Sequence, residues 1–362
     1  MRHILVVVVN FNSGGIESFL CNVLKSWLST EKLCIDLLCN RIEKGDIFSI
    51  RLKAMSAHIH TYGGTLCYSP FFYLPRLFWL MKKFGPYDVA YANAGLLNGF
   101  IVFFGYLLHI EKRISHLHAQ EKPSSLLQRL KKLVCGWLIR HFATIHFAPS
   151  KAVLQCFNLP LIPNKIIRNG IDTQQFSFDL VIRQEFRAKL GVKNKLLIGH
   201  VGRFDKVKNH TFLLQIFKHL HACHAQSSLL LIGAGEGLTA IRKEVEKLHL
   251  EKDVIILTDA HPVSPYYQAM DAFVFPSLRE GFGIVAIEAQ CAGLPCFISD
   301  GVPKEVMICN TTQIPLAKSA EQWAEVILAK TKSFQRADCC EQIKKAGYDI
   351  HDTIRQLQEE FL

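Results

Sequence analysis

The densest run of chemically capable residues is Glu280-Gly281-Phe282-Gly283-Ile284-Val285-Ala286-Ile287-Glu288. The glycines allow backbone N–H groups to approach a ligand closely where a helix begins, and such a start favours negative charge. Glu280 stands on the loop, and Glu288 falls about one turn into the helix. Two carboxylates beside an anion-binding helix start suit a sugar, since each can accept a pair of hydroxyl hydrogens. By spacing alone, one capping and one solvent-facing glutamate fit equally well.

A second group is Gly202-Arg203 with Lys208, which follows the apolar run Leu196 to Val201. Ligands of open α/β sheets bind at the carboxyl ends of strands. Arg203 as a planar fork and Lys208 as a point charge could hold a diphosphate there. For an arbitrary Arg/Lys pair, a solvated basic loop is the commoner reading. Ser13-Gly14-Gly15 offers another glycine turn between an apolar run and a helical one, and a plain tight turn explains it as well. Gly233-x-Gly235-x-Gly237 lacks the sixth-position glycine of a dinucleotide fingerprint, where Leu238 stands, so NAD is not expected.

These residues need a scaffold, and the hydrophobic pattern supplies one. His3 to Val9 is a continuous β-branched run, as in a parallel strand buried on both faces. Ile16 to Leu28 follows as a helix, then strands at Leu33 to Cys39, Ala57 to Tyr62 and Asp88 to Ala92. A second such series starts at Leu196. Strands are expected at Leu196–Val201, Ser228–Ile232, Val254–Leu257, Ala272–Phe275 and Pro295–Ser299. Helices are expected at His210–His221, Leu238–Leu248 and Ile284–Cys291. Alternating strand and helix imply parallel sheets with crossover helices. The expected architecture is α/β, with two Rossmann-like domains divided near Asn164 to Asp172, where Pro160, Pro163 and Asn169-Gly170 mark turns.

The 362 residues fit two domains better than one core. With 49% hydrophobic and 20% charged residues, the chain is neither disordered nor a coiled coil. No apolar stretch is long enough to span a bilayer, and the N-terminus reads as a strand rather than a signal peptide. The 12 cysteines form no C-x-x-C pair, so reduced, mostly buried thiols are expected, without zinc. The net charge of +11 is compatible with nucleic acid, an anionic membrane or phosphate-bearing substrates.

Taken together, these motifs resemble glycosyltransferase family 4, the retaining enzymes of GT-B fold. The likeness rests on Glu280-x7-Glu288 with Pro276-Ser277 before it, Gly14-Gly15-Ile16-Glu17, and Arg168-Asn169-Gly170-Ile171-Asp172. It also rests on Gly199-His200-Val201-Gly202-Arg203 with Lys208-Asn209-His210, and on Ala269-Met270-Asp271. Gly347-Tyr348-Asp349-Ile350 resembles the exopolysaccharide and capsular-polysaccharide branch. The resemblance implies an N-terminal acceptor-side domain at 1–168, a donor-side domain at 169–345 and a C-terminal helix at 346–362 packing back on the first domain. The two domains would face a central cleft.

The implied roles follow residue by residue. Arg203 and Lys208 would neutralise the leaving diphosphate, Glu280 would contact hydroxyls of the donor sugar, and Glu288 would hold the ribose diol. Phe282, Gly283 and Ile284 would present backbone N–H groups, Gly15 would lie under the phosphates, and His118 would face the reacting sugar. The chain departs from the family at Leu257-Thr258-Asp259-Ala260-His261-Pro262, where glycine and arginine usually meet the nucleobase, and at Pro265.

The implied activity is transfer of a hexose-type sugar from a nucleotide-sugar, a UDP-sugar, to a saccharide or lipid-linked saccharide acceptor. No cofactor and no metal are expected, since the sequence has no D-x-D pair. A sugar-nucleotide epimerase of the same fold and an inactive paralogue are the alternatives. Nucleic acid is not expected as a partner. Two segments, Tyr68 to Phe84 and Leu126 to Phe142, mix aromatic and aliphatic residues with basic ones. They suit either core-facing helices with solvated basic faces or helices lying on an anionic membrane. The expected location is the cytoplasm, with peripheral contact at the inner face of a bacterial plasma membrane.

Overall fold

A computed structural model describes residues 2–11, 15–29, 33–42, 58–62, 70–118, 125–157, 159, 164–258 and 260–361. Ser13, Gly14, Tyr68, Pro160, Pro163 and Asp259, singled out above, lie outside the described residues. The chain divides into two compact units: residues 1–169 with 350–362, and residues 170–349.

The first unit is built on seven parallel strands: β1 (Arg2–Val8), β2 (Leu33–Cys39), β3 (His58–Thr61), β4 (Val89–Asn93), β5 (Lys112–His116), β6 (Ile145–Ala148) and β7 (Asn164–Ile166). Their order across the sheet is β3-β2-β1-β4-β5-β6-β7, so the chain starts in the middle and reverses direction beside β1. Residues Ile4 to Val8 are buried, as a strand covered on both faces requires. The helices are α1 (Gly15–Leu28), α2 (Pro70–Phe84), α3 (Asn98–Leu107), α4 (Leu126–Phe142) and α5 (Lys151–Cys156).

The second unit has six parallel strands: β8 (Leu196–Val201), β9 (Ser227–Ile232), β10 (Val254–Leu257), β11 (Ala272–Phe275), β12 (Cys296–Ser299) and β13 (Thr311–Ile314). Their order is β10-β9-β8-β11-β12-β13, the same doubly wound pattern. Its helices are α6 (Thr173–Phe176), α7 (Leu180–Lys189), α8 (His210–Cys223), α9 (Leu238–Lys247), α10 (Ser264–Ala269), α11 (Ile284–Cys291), α12 (Ala320–Lys332) and α13 (Cys340–Lys345). The backbone N–H of Ile171 donates to the Tyr348 carbonyl at 2.8 Å, and Ile171 forms a parallel bridge with Asp349. The points where the chain enters and leaves this unit therefore lie side by side.

The last helix, α14 (Ile350–Phe361), belongs to the first unit. Its buried Ile354, Leu357 and Phe361 share a core with Phe19, Leu24 and Trp27 of α1. The Phe361 ring lies tilted 4.4 Å from Trp27 and edge-on 5.0 Å from Tyr91. Burial of one such aromatic contributes about 1.5–3 kcal/mol. Two parallel, doubly wound sheets with interleaved helices make the GT-B fold.

Candidate functional site

The chemistry of the second unit gathers on the loops that leave β8, β9 and β11. These strands adjoin in the order β9-β8-β11, and the chain reverses direction between β8 and β11. Loops diverge at such a point and leave a crevice at the carboxyl ends of the strands.

The loop after β8 carries Gly202, Arg203 and Lys208. Its shape is fixed by the Asp205 carboxylate, which accepts from the backbone N–H groups of Val207 at 2.9 Å and Lys208 at 3.1 Å. The glycine loop after β9 supports it. Phe204 N–H donates to the Ala234 carbonyl at 2.9 Å, and Gly237 N–H donates to the Phe204 carbonyl at 2.8 Å. A Cβ on Gly233 would lie 2.0 Å from the Gly202 carbonyl oxygen, so only glycine fits there. The G-x-G-x-G run is thus a backing for the basic loop, which accounts for it without a dinucleotide.

The loop after β11 is stitched to the same place. Leu278 N–H donates to the Val207 carbonyl at 2.8 Å, and Asn209 Nδ2 to the Pro276 carbonyl at 3.2 Å. Lys208 Nζ donates to Glu280 Oε1 at 2.7 Å, with both side chains largely buried. The same ammonium sits 4.8 Å from the centre of the Phe275 ring. The structure therefore brings Lys208 and Glu280 into one ion pair. Arg203, in contrast, is exposed and has no side-chain partner among the described residues.

Gly283 begins α11 in the left-handed region, at φ +97°, where an L side chain is strained. A Cβ there would stand 3.2 Å from Phe275 Cε1 and 3.4 Å from Val302 Cγ1. The turn leaves the N–H groups of Phe282, Gly283 and Ile284 without a backbone acceptor among the described residues, while Ala286 N–H is taken by the Gly283 carbonyl at 2.9 Å. The Phe282 ring itself is buried and packs 5.3 Å from Tyr348. Phe282 contributes its backbone to the opening and its side chain to the core.

Glu288 lies on the same helix but not in the Lys208–Glu280 pair. The buried phenol of Tyr267 donates to its Oε2 at 2.7 Å. Burial raises the Glu288 carboxyl to about 7, and the phenol's hydrogen bond draws it down only in part. Burial, then the adjacent carboxylate, pushes Tyr267 well up, so it stays a donor. Sequence spacing gave no signal for Tyr267, which sits 21 positions away on α10.

Two buried histidines back the basic loop. His200 Nδ1 meets the Val274 carbonyl at 2.9 Å, so that nitrogen donates. Its Nε2 makes no hydrogen bond and lies under Gly202, 3.1 Å from where a Cβ would stand. His210 packs edge-on to His200 at 4.8 Å and to Phe204 at 5.1 Å. Burial lowers both, His210 to about 4, so both rings are neutral beside the Lys208 charge.

The remaining expected residues belong to the first unit. Gly15 is the first residue of α1, after the carboxyl end of β1. His118 lies just beyond β5, buried, with Nε2 donating to Asn93 Oδ1 at 2.9 Å. Burial lowers it to about 4, which keeps the imidazole neutral. The His116 ring lies tilted against it at 4.0 Å and takes the Tyr91 phenol at 2.6 Å.

Comparison with known proteins bears on the family and the fold. Residues 182–347 match the family described as Glycosyl transferases group 1. EpsF of Bacillus subtilis (strain 168), a glycosyltransferase by assignment, is 28% identical over 98% of this chain and 95% of its own length. The UDP-Gal:alpha-D-GlcNAc-diphosphoundecaprenol alpha-1,3-galactosyltransferase of Escherichia coli is 29% identical over 63% of this chain and 61% of its own. The crystal structure of Anabaena HepE in complex with UDP and glucose superposes with a TM-score of 0.83 at 18% identity, over 99% of each chain. With a family match across the unit that holds the ion pair, and a GT-B likeness that runs from end to end, the second unit is a group 1 glycosyltransferase domain and the chain a glycosyltransferase.

Proposed function

We propose that this protein moves a hexose-type sugar from a UDP-sugar to a growing, lipid-linked bacterial surface polysaccharide of the exopolysaccharide or capsular kind. The transfer retains anomeric configuration and uses no metal ion. The observation that carries the reading is the Lys208–Glu280 pair beside the open N–H groups of α11. The UDP and glucose bound to HepE and the UDP-Gal and diphosphoundecaprenol named for the Escherichia coli relative support the donor and acceptor classes.

In this reading the diphosphate meets Arg203, Lys208 and the N–H groups of Phe282, Gly283 and Ile284. Negative charge grows on the β-phosphate as its bond to the anomeric carbon breaks. Fixed cations and N–H groups aimed there supply the electrostatic stabilisation, often the largest catalytic contribution. The acceptor oxygen bonds to the same face of that carbon, and its proton passes to the departing phosphate oxygen. Nucleoside diphosphate leaves and the configuration is kept. Glu280 accepts hydroxyl hydrogens of the sugar and releases part of its hold on Lys208 to the phosphate. Glu288 accepts both hydroxyls of the ribose.

The test is a thermal-shift panel with UDP, GDP, ADP and NAD in EDTA, followed by the anomeric configuration of the transferred sugar. A ligand at 100 times its Kd adds about 2.7 kcal/mol. A UDP shift in EDTA that disappears in Arg203→Ala is the expected result. A shift only with added divalent metal, or an inverted product, sinks the corresponding part of the reading.

A further inference from the structure

Helix α4 turns an apolar face to solvent. Leu126 is 82% exposed, Leu130 57%, Leu133 70% and Trp137 54%, with Leu127 and Val134 exposed beside them. At roughly 100° per residue, Leu126, Leu130, Leu133, Val134 and Trp137 share one side of the helix. Cys135, Leu138 and Ile139, which are buried, occupy the opposite side. The core-facing reading of this helix is therefore satisfied by a second, smaller stripe, and the larger one is left uncovered. Scattered exposed apolar residues need no explanation, but a continuous stripe does.

The adjoining helices continue the pattern. Phe78 of α2 packs on Phe104 of α3 at 5.2 Å, and Tyr106 of α3 packs on Phe142 of α4 at 5.0 Å. Trp79 and Tyr106 are themselves half exposed, and Lys83 Nζ lies 4.7 Å over the Trp79 ring. The sequences of α2, α3 and α4 contain Arg76, Lys82, Lys83, Arg129, Lys131, Lys132 and Arg140 and no Asp or Glu. Aromatic rings with one polar edge, leucines and a surplus of cations match the boundary between acyl chains and anionic headgroups. A second copy of the chain would bring the same cations face to face.

We infer that this face, with the exposed stripe of α4 at its centre, docks on an anionic lipid bilayer. The inference deepens the reading of a lipid-linked acceptor and rests on it for its biological sense. Such binding is peripheral: among the described residues no helix is long and apolar enough to cross a membrane.

The test is flotation with phosphatidylcholine vesicles and with vesicles that also contain phosphatidylglycerol. The protein should float with the anionic vesicles, and added salt should weaken it. Leu130→Gln/Leu133→Gln/Trp137→Gln and, separately, Arg129→Gln/Lys131→Gln should each lower partitioning by roughly tenfold or more. All these side chains are exposed, so both variants should keep the native melting temperature and UDP response. The inference is overturned if the protein floats with neither vesicle, or if the apolar variant floats undiminished. It is also overturned if light scattering finds a dimer that the apolar variant dissociates. A protein that floats as described but ignores UDP would sink the proposed donor and leave this surface standing.

Discussion

Glu288→Gln should make the unliganded protein more stable, and more so as pH rises. A carboxyl held at about 7, against an ordinary value of 4.5, is a group whose charged form the fold disfavours. Its stabilising contribution is full below the unfolded value and is lost as pH climbs through the folded one. Relative to an always-neutral amide, the wild-type carboxyl costs about 1 kcal/mol at pH 5 and about 3 kcal/mol at pH 8. Glutamine keeps an oxygen to accept from the Tyr267 phenol, so the 2.7 Å hydrogen bond survives. For a unit of this size the gain at pH 8 corresponds to about 6–12 °C in melting temperature, falling to a few degrees at pH 5. The assay is a series of paired melts of wild type and variant from pH 5 to 9. Other titrating groups cancel in the difference. With UDP the order should reverse, since ribose hydroxyls favour the carboxylate and only the wild type can exploit them. Equal melting temperatures across the range, or a variant weaker at pH 8 without nucleotide, would refute the placement of Glu288 as a carboxylate kept buried for a ligand.

Three further outcomes follow from the geometry. Glu280→Gln should lower transfer about 10²–10³-fold while leaving the thermal shift with UDP, which has no sugar, undiminished or larger; loss of the UDP shift would place Glu280 on the nucleotide instead. Gly283→Ala should destabilise by about 1–3 kcal/mol in chemical denaturation, because φ +97° strains any L side chain and the new methyl meets the Phe275 ring. His118, His146 and His210 are each lowered to about 4 by burial, so stability should hold above pH 6.5 and fall as pH drops from 6.5 toward 4. Acid titration of His118→Gln should show a smaller loss than wild type over that window.

Much of the scaffold was legible because apolar runs and turn residues say the same thing. Leu196–Val201, Val254–Leu257, Ala272–Phe275 and Ile284–Cys291 stand where the sequence predicts them. β5 was not legible, because its buried end is polar. Ser115 is satisfied by Asn98 at 3.1 Å and His116 by Tyr91 at 2.6 Å, so no hydrophobic run announces the strand. β13, Thr-Thr-Gln-Ile at the sheet edge, is half exposed and equally silent. In the site, local spacing pointed to Glu280 and Lys208 but not to their contact, which depends on strand order bringing β8 beside β11. Tyr267, and the packing of His200 under Gly202, are invisible for the same reason. Amphipathic periodicity located α4, yet it could not say which of two apolar stripes faces inward. That depends on what the neighbouring helices offer.

The antiphonal ends of the second unit, where Ile171 meets Tyr348 and Asp349, bear on how such chains can change over generations. A segment whose first and last residues touch can be lifted out of one gene and set into another without stretching its host. The host resumes its own core afterwards, since α14 returns to pack on α1. Recombination at these two points would exchange the unit holding Lys208, Glu280 and Glu288 as a cassette. The first unit and its exposed basic face would be inherited unchanged. New pairings of the two units can then arise by shuffling them whole, with no need to rebuild either core one residue at a time.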